Sequence, residues 1–409
     1  MVHGGVALAR LAEGRLALVR GGLPGERVKA EVKERAGVLQ GVVTEVVDAS
    51  PHRTAPSPHP GLDYSHVGYG HQLELKRSVV EDALSRALNH GDQGGAQIPP
   101  VVAAPEPWGY RSAVQPAVSR TASETLLGYR QPHTDTFVPL THDPVANAGL
   151  NRLWACLQER GLPKGVRELA LRGNDEGEVL LCLIAGASAK NYLDAAHGLV
   201  EVGVVGVAYA QYDPRGRFRR GSERLAGARS IMQRYGDLDL TVTATSFAQP
   251  NPAAAARLYA ELTRWAGAGV HALDLYAGGG VIGLHLARGF GQVTALELDR
   301  SSVVRGERDA KRLGAENLSF IHADARKLSA LPEAELITVD PPRAGLAKAA
   351  RGAITASAAK RLLYVSCDVA TWARDVAELG AAGWRLERVQ PFDFYPQTHH
   401  IEILSLLTR

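Results

Sequence analysis

Leu273-Asp274-Leu275-Tyr276-Ala277-Gly278-Gly279-Gly280-Val281-Ile282-Gly283 is the stretch that decides the fold. Residues 272–275 read as a strand, and a helical stretch opens at Leu284. Between them Gly278, Gly280 and Gly283 fit the G-x-G-x-x-G spacing of a nucleotide-binding turn, in the strand-to-helix context that gives the motif its meaning. Glycine has no Cβ, so a ligand can approach the backbone there. Glu297 ends the next strand about 20 residues on, where a carboxylate can hold ribose hydroxyls. Asp324, in His322-Ala323-Asp324-Ala325, ends the third strand and suits the adenine edge. The plainer alternative is a structural glycine turn, and acids at successive strand ends weigh against it. The glycines alone do not separate a nicotinamide cofactor from S-adenosylmethionine.

Working outward, strands are expected at 272–275, 292–296, 318–321, 336–339 and 361–365, most of them separated by helical stretches. That alternation is the signature of an α/β domain built on a doubly wound parallel sheet, placed here at residues 236–409. Residues 1–50 read as β. Runs at 16–19, 28–32 and 38–47 are separated by turn residues such as Gly21-Gly22-Leu23-Pro24-Gly25, as in a small barrel of the oligonucleotide-binding kind. A packing-only β-domain fits equally well. Residues 51–72, rich in Pro, His and Gly, read as a linker or long loop, and 73–90 as a helix with Leu73, Val80, Leu84 and Leu88 near one face. Residues 100–235 mix strands and helices, with a hairpin around Gly173-Asn174-Asp175-Glu176-Gly177, so 51–235 is assigned to an α+β domain. Arg215, Arg217, Arg219, Arg220 and Arg224 surround Phe218; this suits phosphates and base stacking, or simply a solvated hairpin face.

Composition narrows the classes. The 409 residues are 45% hydrophobic and 22% charged, as in ordinary globular chains, with room for two or three domains. A net charge of +3, from 46 basic and 43 acidic residues, leaves a nucleic-acid partner to be decided by local patches. Three cysteines, Cys156, Cys182 and Cys367, exclude a disulfide framework and any four-cysteine zinc or iron–sulfur site within the chain, and they suit a reducing, cytoplasmic setting. No 18-residue apolar span or signal pattern points to a membrane. His52, His59, His66 and His71 match no zinc spacing, so no metal site is expected. Nothing marks a subunit interface, so the expectation is a monomer.

Three later features carry chemistry. In Asp340-Pro341-Pro342-Arg343 two prolines stiffen the turn after a strand and hold Asp340 at its end; the bland reading is a strand terminator. Cys367 follows Val365-Ser366 at the carboxyl end of the next strand, where open α/β sheets bind ligands. Buried structural cysteines are commoner than nucleophiles, and activation needs a lowered pKa or a nearby base. Glu402 follows an aromatic-rich segment, 392–395, and suits a general base; without context a surface glutamate on an edge strand is the simpler reading.

With Phe247-Ala248-Gln249-Pro250-Asn251 added, the set resembles the RNA uracil-5-methyltransferase family. That family has a Phe-x-Gln-x-Asn segment, an Asp-Pro-Pro-Arg turn, a Val-Ser-Cys segment and a terminal Pro-Gln-Thr-x-His-x-Glu segment. All four occur here in order, over roughly the last 165 residues, and together they are specific. The β segment 1–50 resembles the TRAM domain that some members carry for RNA contact. The resemblance implies a Rossmann-like class I domain using S-adenosylmethionine. It implies that Cys367 attacks carbon 6 of a uracil, that carbon 5 takes the methyl group, and that Glu402 removes the carbon-5 proton. By position it assigns Gln249, Tyr276, Gly278, Gly280, Val281, Glu297, Asp324 and Asp340 to the cofactor, and Phe247, Arg343 and His399 to the substrate.

The chain also departs from the family. Many members carry four cysteines for an iron–sulfur cluster after the first domain; residues 56–76 here have none, so no cluster is expected. Ala277 and Val281 replace Cys and Asn or Thr in the glycine loop, Asp368-Val369 replaces Asn-Pro, and the first TRAM strand is not evident. The implied substrate is structured RNA, with 23S ribosomal RNA favoured over tRNA through the TRAM-like segment. RNA cytosine-5 methylation and a non-catalytic RNA-binding protein are the alternatives.

Overall fold

The structure, a computed structural model, describes residues 1–88, 97–121, 124–132, 134, 136–216 and 218–409. Two units emerge: Met1–Ser57 with Leu62–Pro105 and Arg257–Arg409, and Pro58–Gly61 with Glu106–Ala256.

In the first unit the apolar runs of the C-terminal third become the sheet expected of them. Its order is Leu318–His322, Phe290–Glu297, Gly269–Leu275, Leu336–Val339, Arg361–Ser366, Glu402–Thr408, Arg385–Phe392. The first five strands are parallel. The last two are antiparallel additions that the sequence reading did not include. Strands covered on both faces need continuous apolar sequence, and Leu336–Val339 is buried throughout. Helices Val281–Leu286, Arg300–Arg312, Lys348–Ala356 and Val369–Ala381 connect or flank these strands. Trp372, fully buried, packs with Leu362, Tyr364 and Leu407 at the centre of the core.

The N-terminal residues form a four-stranded sheet, Val6–Arg10, Leu16–Arg20, Val38–Asp48, Arg27–Arg35 in spatial order. Three strands match the reading. Val6–Arg10 is a fourth, hidden because only Val6 and Leu8 among its five residues are large apolar ones. Helix Tyr69–Ala87 starts four residues before the expected 73, within the stretch taken as a loop, and its expected last two residues, 89 and 90, lie outside the described residues. The early start is explained by tertiary contacts: Gln72 and Lys76, polar and four apart, are both buried. Gln72 Nε2 donates to the carbonyls of Tyr64 and Val67 and to Gln397 Oε1, and its Oε1 accepts from Gln397 N. Lys76 Nζ donates to Asp393 Oδ1 at 2.7 Å and to the Tyr395 carbonyl at 3.2 Å.

In the second unit one mixed sheet runs Glu223–Gly227, Gly206–Gln211, Val179–Ala185, Val166–Gly173, Ala117–Arg120, Thr125–Arg130, Phe137–Pro139, with helices Ala148–Arg160 and Leu193–Glu201. The expected hairpin is present, with Gly173 paired to Val179 and the turn held by Asn174 Oδ1, which accepts from Glu176 N and Glu178 N. Phe218 is half-buried against an apolar cluster, which favours packing over base stacking. Arg215 is paired with Asp213 and Arg220 with Gln211, while Arg217 lies outside the described residues. Among the described residues no helix is long and apolar enough to cross a membrane.

Removing one partner of a buried ion pair strands the other charge. Lys76→Met is therefore expected to lower stability by about 3–5 kcal/mol in urea denaturation. Lys76→Met/Asp393→Asn should recover much of the loss; a double variant as unstable as the single one would refute this account.

Candidate active site

The glycine loop lies between strand Gly269–Leu275 and helix Val281–Leu286. Its backbone is unusual from the first residue: Tyr276 has φ 63°, a conformation that non-glycine residues adopt at a cost, followed by Gly278 at 56° and Gly280 at 81°. The glycines serve different ends. A Cβ on Gly278 or Gly279 would meet nothing within 4 Å, so the loop borders open space there. A Cβ on Gly280 would be driven into the Phe320 ring, and Gly283 faces Leu318 closely. Gly283 N donates to Asp274 Oδ2 at 2.9 Å, and Asp274 Oδ1 accepts from Thr338 Oγ1 at 2.8 Å. Val281, the first helical residue, offers no hydroxyl.

The acids at the strand ends are already engaged. Glu297 accepts from Gly278 N at 2.8 Å and from Asp299 N at 2.6 Å. Asp324 is paired with Arg326 through two hydrogen bonds of 2.8 and 2.9 Å, which hold its carboxyl below the usual range. Asp340 follows strand Leu336–Val339, and burial, with Asp274 nearby, raises it to about 7. Asp274, fully buried, is also raised to about 7, mainly by burial. An open glycine loop flanked by carboxylates at successive strand ends suits an adenosine-bearing ligand with hydroxyls and a positive charge, so the residues present fit S-adenosylmethionine.

Cys367 and Glu402 come together through strand register. Ser366 pairs with Ile403 in the antiparallel ladder, so Cys367 and Glu402 are the next residues beyond this pair on the two strands, near enough for the Glu402 charge to act on the thiol. Glu402 is 1% exposed, in a strand between two others, so it is neither a surface nor an edge residue. Burial raises its carboxyl well above the ordinary value; Asp340 adds to the rise and Arg343 opposes it. Its Oε1 has no hydrogen-bond partner among the described residues. Burial, then Glu402 and Asp340, push the Cys367 thiol up to about 12, again against Arg343. Cys367 is half-buried at the edge of an open cavity of about 130 Å³, which His3, Arg343, Asp368, His399 and His400 also line. The next residue, Asp368, caps helix Val369–Ala381 by accepting from Thr371 N at 2.9 Å.

The sequence reading missed several supporting residues. His400 lies in the quoted terminal segment but was given no role; its Nε2 sits 3.3 Å from Arg343 Nη2, and burial with neighbouring His399 and Arg343 lowers its pKa to about 3. Asp63, in the proline- and histidine-rich stretch, accepts from His399 N at 3.0 Å and meets His399 Nδ1 at 2.6 Å. Asp375, fully buried, accepts from Leu346 N and the Tyr364 hydroxyl and fixes the chain after Arg343. Only long-range contacts reveal these roles. Phe247 and Gln249 belong to the second unit: Phe247 is 79% exposed, and Gln249 is buried with its carbonyl accepting from the Tyr235 hydroxyl.

The fold and site are those of an α/β enzyme that binds a nucleotide-bearing cofactor, and comparison with known proteins gives the class. Residues 237–409 match the family described as tRNA (Uracil-5-)-methyltransferase. The chain is 33% identical to an uncharacterized RNA methyltransferase of Thermosynechococcus vestitus, over 99% of this chain and 96% of that one. It is 32% identical to another from Gloeobacter violaceus, over 100% and 95%. The crystal structure of Pyrococcus abyssi tRNA (uracil-54, C5)-methyltransferase in complex with S-adenosyl-L-homocysteine is similar in fold, with a TM-score of 0.77 and 24% identity over 98% of this chain and 100% of that one. The chain belongs to the RNA (uracil-5-)-methyltransferase family.

A carboxyl raised in the folded state binds its proton more tightly there than in the unfolded chain, so stability falls as pH rises between the two values. Asp274 and Asp340, with ordinary values near 3.8 and folded values of about 7, should both make the protein less stable as pH climbs from 4 to 7. Asp274→Asn keeps an acceptor for Gly283 N and removes one of these titrations. Its urea midpoint should depend less on pH over that interval and exceed the wild-type value at pH 8. A slope equal to wild type would show that Asp274 titrates normally.

Proposed function

We propose that this enzyme methylates carbon 5 of a uridine in structured RNA, with 23S ribosomal RNA as the substrate, through a covalent bond between Cys367 and carbon 6. The observation that carries the reading is the strand register that brings Cys367 and Glu402 together beside Asp340 and Arg343. A separate base is needed because a thiolate that has added to carbon 6 leaves a carbon-5 proton to be removed. The N-terminal sheet, within 1–50, and the domain 51–235 are assigned to RNA contact, and 236–409 to cofactor and chemistry. The exposed ring of Phe247 supports stacking on a base, and Arg343 and His399 border the thiol cavity.

S-adenosylmethionine supplies an electrophilic methyl group on a positively charged sulfur. Gln249, Tyr276, Gly278, Gly280, Val281, Glu297, Asp324 and Asp340 are the residues we assign to holding it. The target uridine must leave its stack to expose a face of the ring. The Cys367 thiol loses its proton to solvent, its sulfur bonds to carbon 6, and the electron pair of the 5,6 double bond moves to carbon 5, which takes the methyl group. Glu402 accepts the carbon-5 proton; the double bond re-forms and expels the sulfur. The expelled thiolate recovers a proton from solvent, so that, net, a methyl group replaces a proton and the thiol is regenerated. The high pKa of Cys367 makes a resting thiol, which protects it from oxidation and alkylation until ligands arrive. The raised pKa of Glu402 makes its carboxylate a stronger base once ionised.

Labelled S-adenosylmethionine incubated with unmodified 23S rRNA and tRNA transcripts, followed by digestion to nucleosides, tests the reading. Label is expected in 5-methyluridine from rRNA. Label from tRNA alone would keep the chemistry and overturn the substrate; label in 5-methylcytidine would overturn the base, and no label in either RNA would overturn the enzymatic reading. Glu402→Gln should let the adduct form and stall it, giving a protein–RNA band stable on a denaturing gel, with turnover lowered about 10²–10⁴-fold. Cys367→Ala should give neither band nor product. Methylation retained by Cys367→Ala would sink the covalent route.

A further inference from the structure

The cavity beside Cys367 has a wall that the chemistry above does not use. Residues 3–5 form a tight turn closed by the Val2 N–Val6 O hydrogen bond of 2.9 Å, with Gly4 and Gly5 at φ 89° and 72°. Three contacts hold this turn against the site. Met1 packs on the cluster of Leu23, Tyr64, Val67 and Leu75. Gly5 lies so close to the Asp63–His399 pair that a Cβ would be driven into the Asp63 carboxylate and come within 3.0 Å of His399 Cβ and Nδ1. His3, at the tip, places Nε2 3.5 Å from Asp368 Oδ2 and lines the cavity with Cys367, Arg343, His399 and His400. Its side chain remains 46% exposed. The groups facing it are Asp368, Arg343 and the two histidines, so this side of the cavity is rich in nitrogen donors and holds one carboxylate.

We propose that His3 is a substrate-positioning residue whose imidazole contacts the phosphodiester beside the target uridine at the mouth of the Cys367 cavity. The inference rests on the RNA reading above. A base flipped toward the thiol must carry its flanking phosphates to the rim of the cavity, since the backbone stays outside. Phosphate oxygens accept hydrogen bonds from side-chain N–H groups, and such contacts set register rather than sequence. The Gly4–Gly5 conformation aims the imidazole there, and the Gly5 approach to Asp63 and His399 sets the depth of the turn. His3 thus ties the N-terminal sheet directly to the reacting centre, while the bond-making groups remain Cys367 and Glu402.

The test uses the full chain with an untagged N-terminus. Filter binding of unmodified 23S rRNA and tRNA transcripts, without cofactor, gives Kd for wild type, His3→Ala and His3→Lys; methyl transfer to the same transcripts gives KM and kcat. A lost charge-assisted hydrogen bond to phosphate should raise Kd and KM about tenfold in His3→Ala, with kcat within twofold of wild type. His3→Lys, which keeps a donor, should restore both. Thermal melting of His3→Ala within a few degrees of wild type shows that the turn still folds. Unchanged Kd in a folded His3→Ala would overturn the proposal, as would a fall in kcat at constant KM or a His3→Lys variant as weak as His3→Ala. If wild type binds these transcripts but methylates neither, the enzymatic reading fails, and the Kd values of the three proteins still decide whether His3 contacts RNA.

Discussion

The buried polar face of helix Tyr69–Ala87 governs this active site. Gln72 and Lys76 lie one helical turn apart and are both excluded from solvent, yet neither contacts the reacting groups. Together they bind segment 393–397, with Lys76 paired to Asp393 and Gln72 locked to Gln397 by two reciprocal hydrogen bonds. Gln397 has φ 69°, a conformation a free chain would avoid and which these bonds hold in place. The loop so fixed leads into His399, His400 and Glu402. An apolar helix face would pack here, but it would not dictate backbone position; hydrogen bonds to carbonyls and amides do, because each unmade one carries a desolvation cost.

The electrostatics around the thiol follow from burial in the same way. Burial raises the pKa of Asp274, Asp340 and Glu402, and Asp274 further raises that of Asp340, Asp340 that of Glu402, and Glu402 that of Cys367. Crowding carboxyls together opposes ionisation of any of them and of Cys367. Arg343 is the counterweight, held by its backbone carbonyl to Thr371 Oγ1 and by its side chain to neutral His400. Burial and crowding therefore favour the uncharged forms of these groups, and a cationic ligand would oppose both effects.

Much of the fold was legible in the sequence. The five parallel strands were readable because each is mostly apolar and helical stretches separate most of them, as a sheet covered on both faces requires. The two antiparallel strands were not. Arg385–Phe392 interleaves arginine, glutamate and glutamine with apolar residues, and Glu402–Thr408 follows it with no helix between, so the alternation of strand and helix does not mark this pair. Helix Tyr69–Ala87 was read short for a related reason: periodicity looks for apolar residues, and its buried face includes Gln72 and Lys76.

At the site, local sequence determined the chemical inventory: a glycine turn after a strand, stiff prolines beside Asp340, a thiol at a strand end and a late glutamate. These are properties of residue type and short-range spacing, and a chain carries them wherever it folds. Only tertiary structure decided that Glu402 faces Cys367, that Asp63 holds His399, and that a turn at residues 3–5 reaches the same cavity. Such pairings join residues tens to hundreds of positions apart. They are selected by burial, strand register and hydrogen-bond satisfaction, which depend on the whole folded chain and leave no mark on the spacing of neighbouring residues.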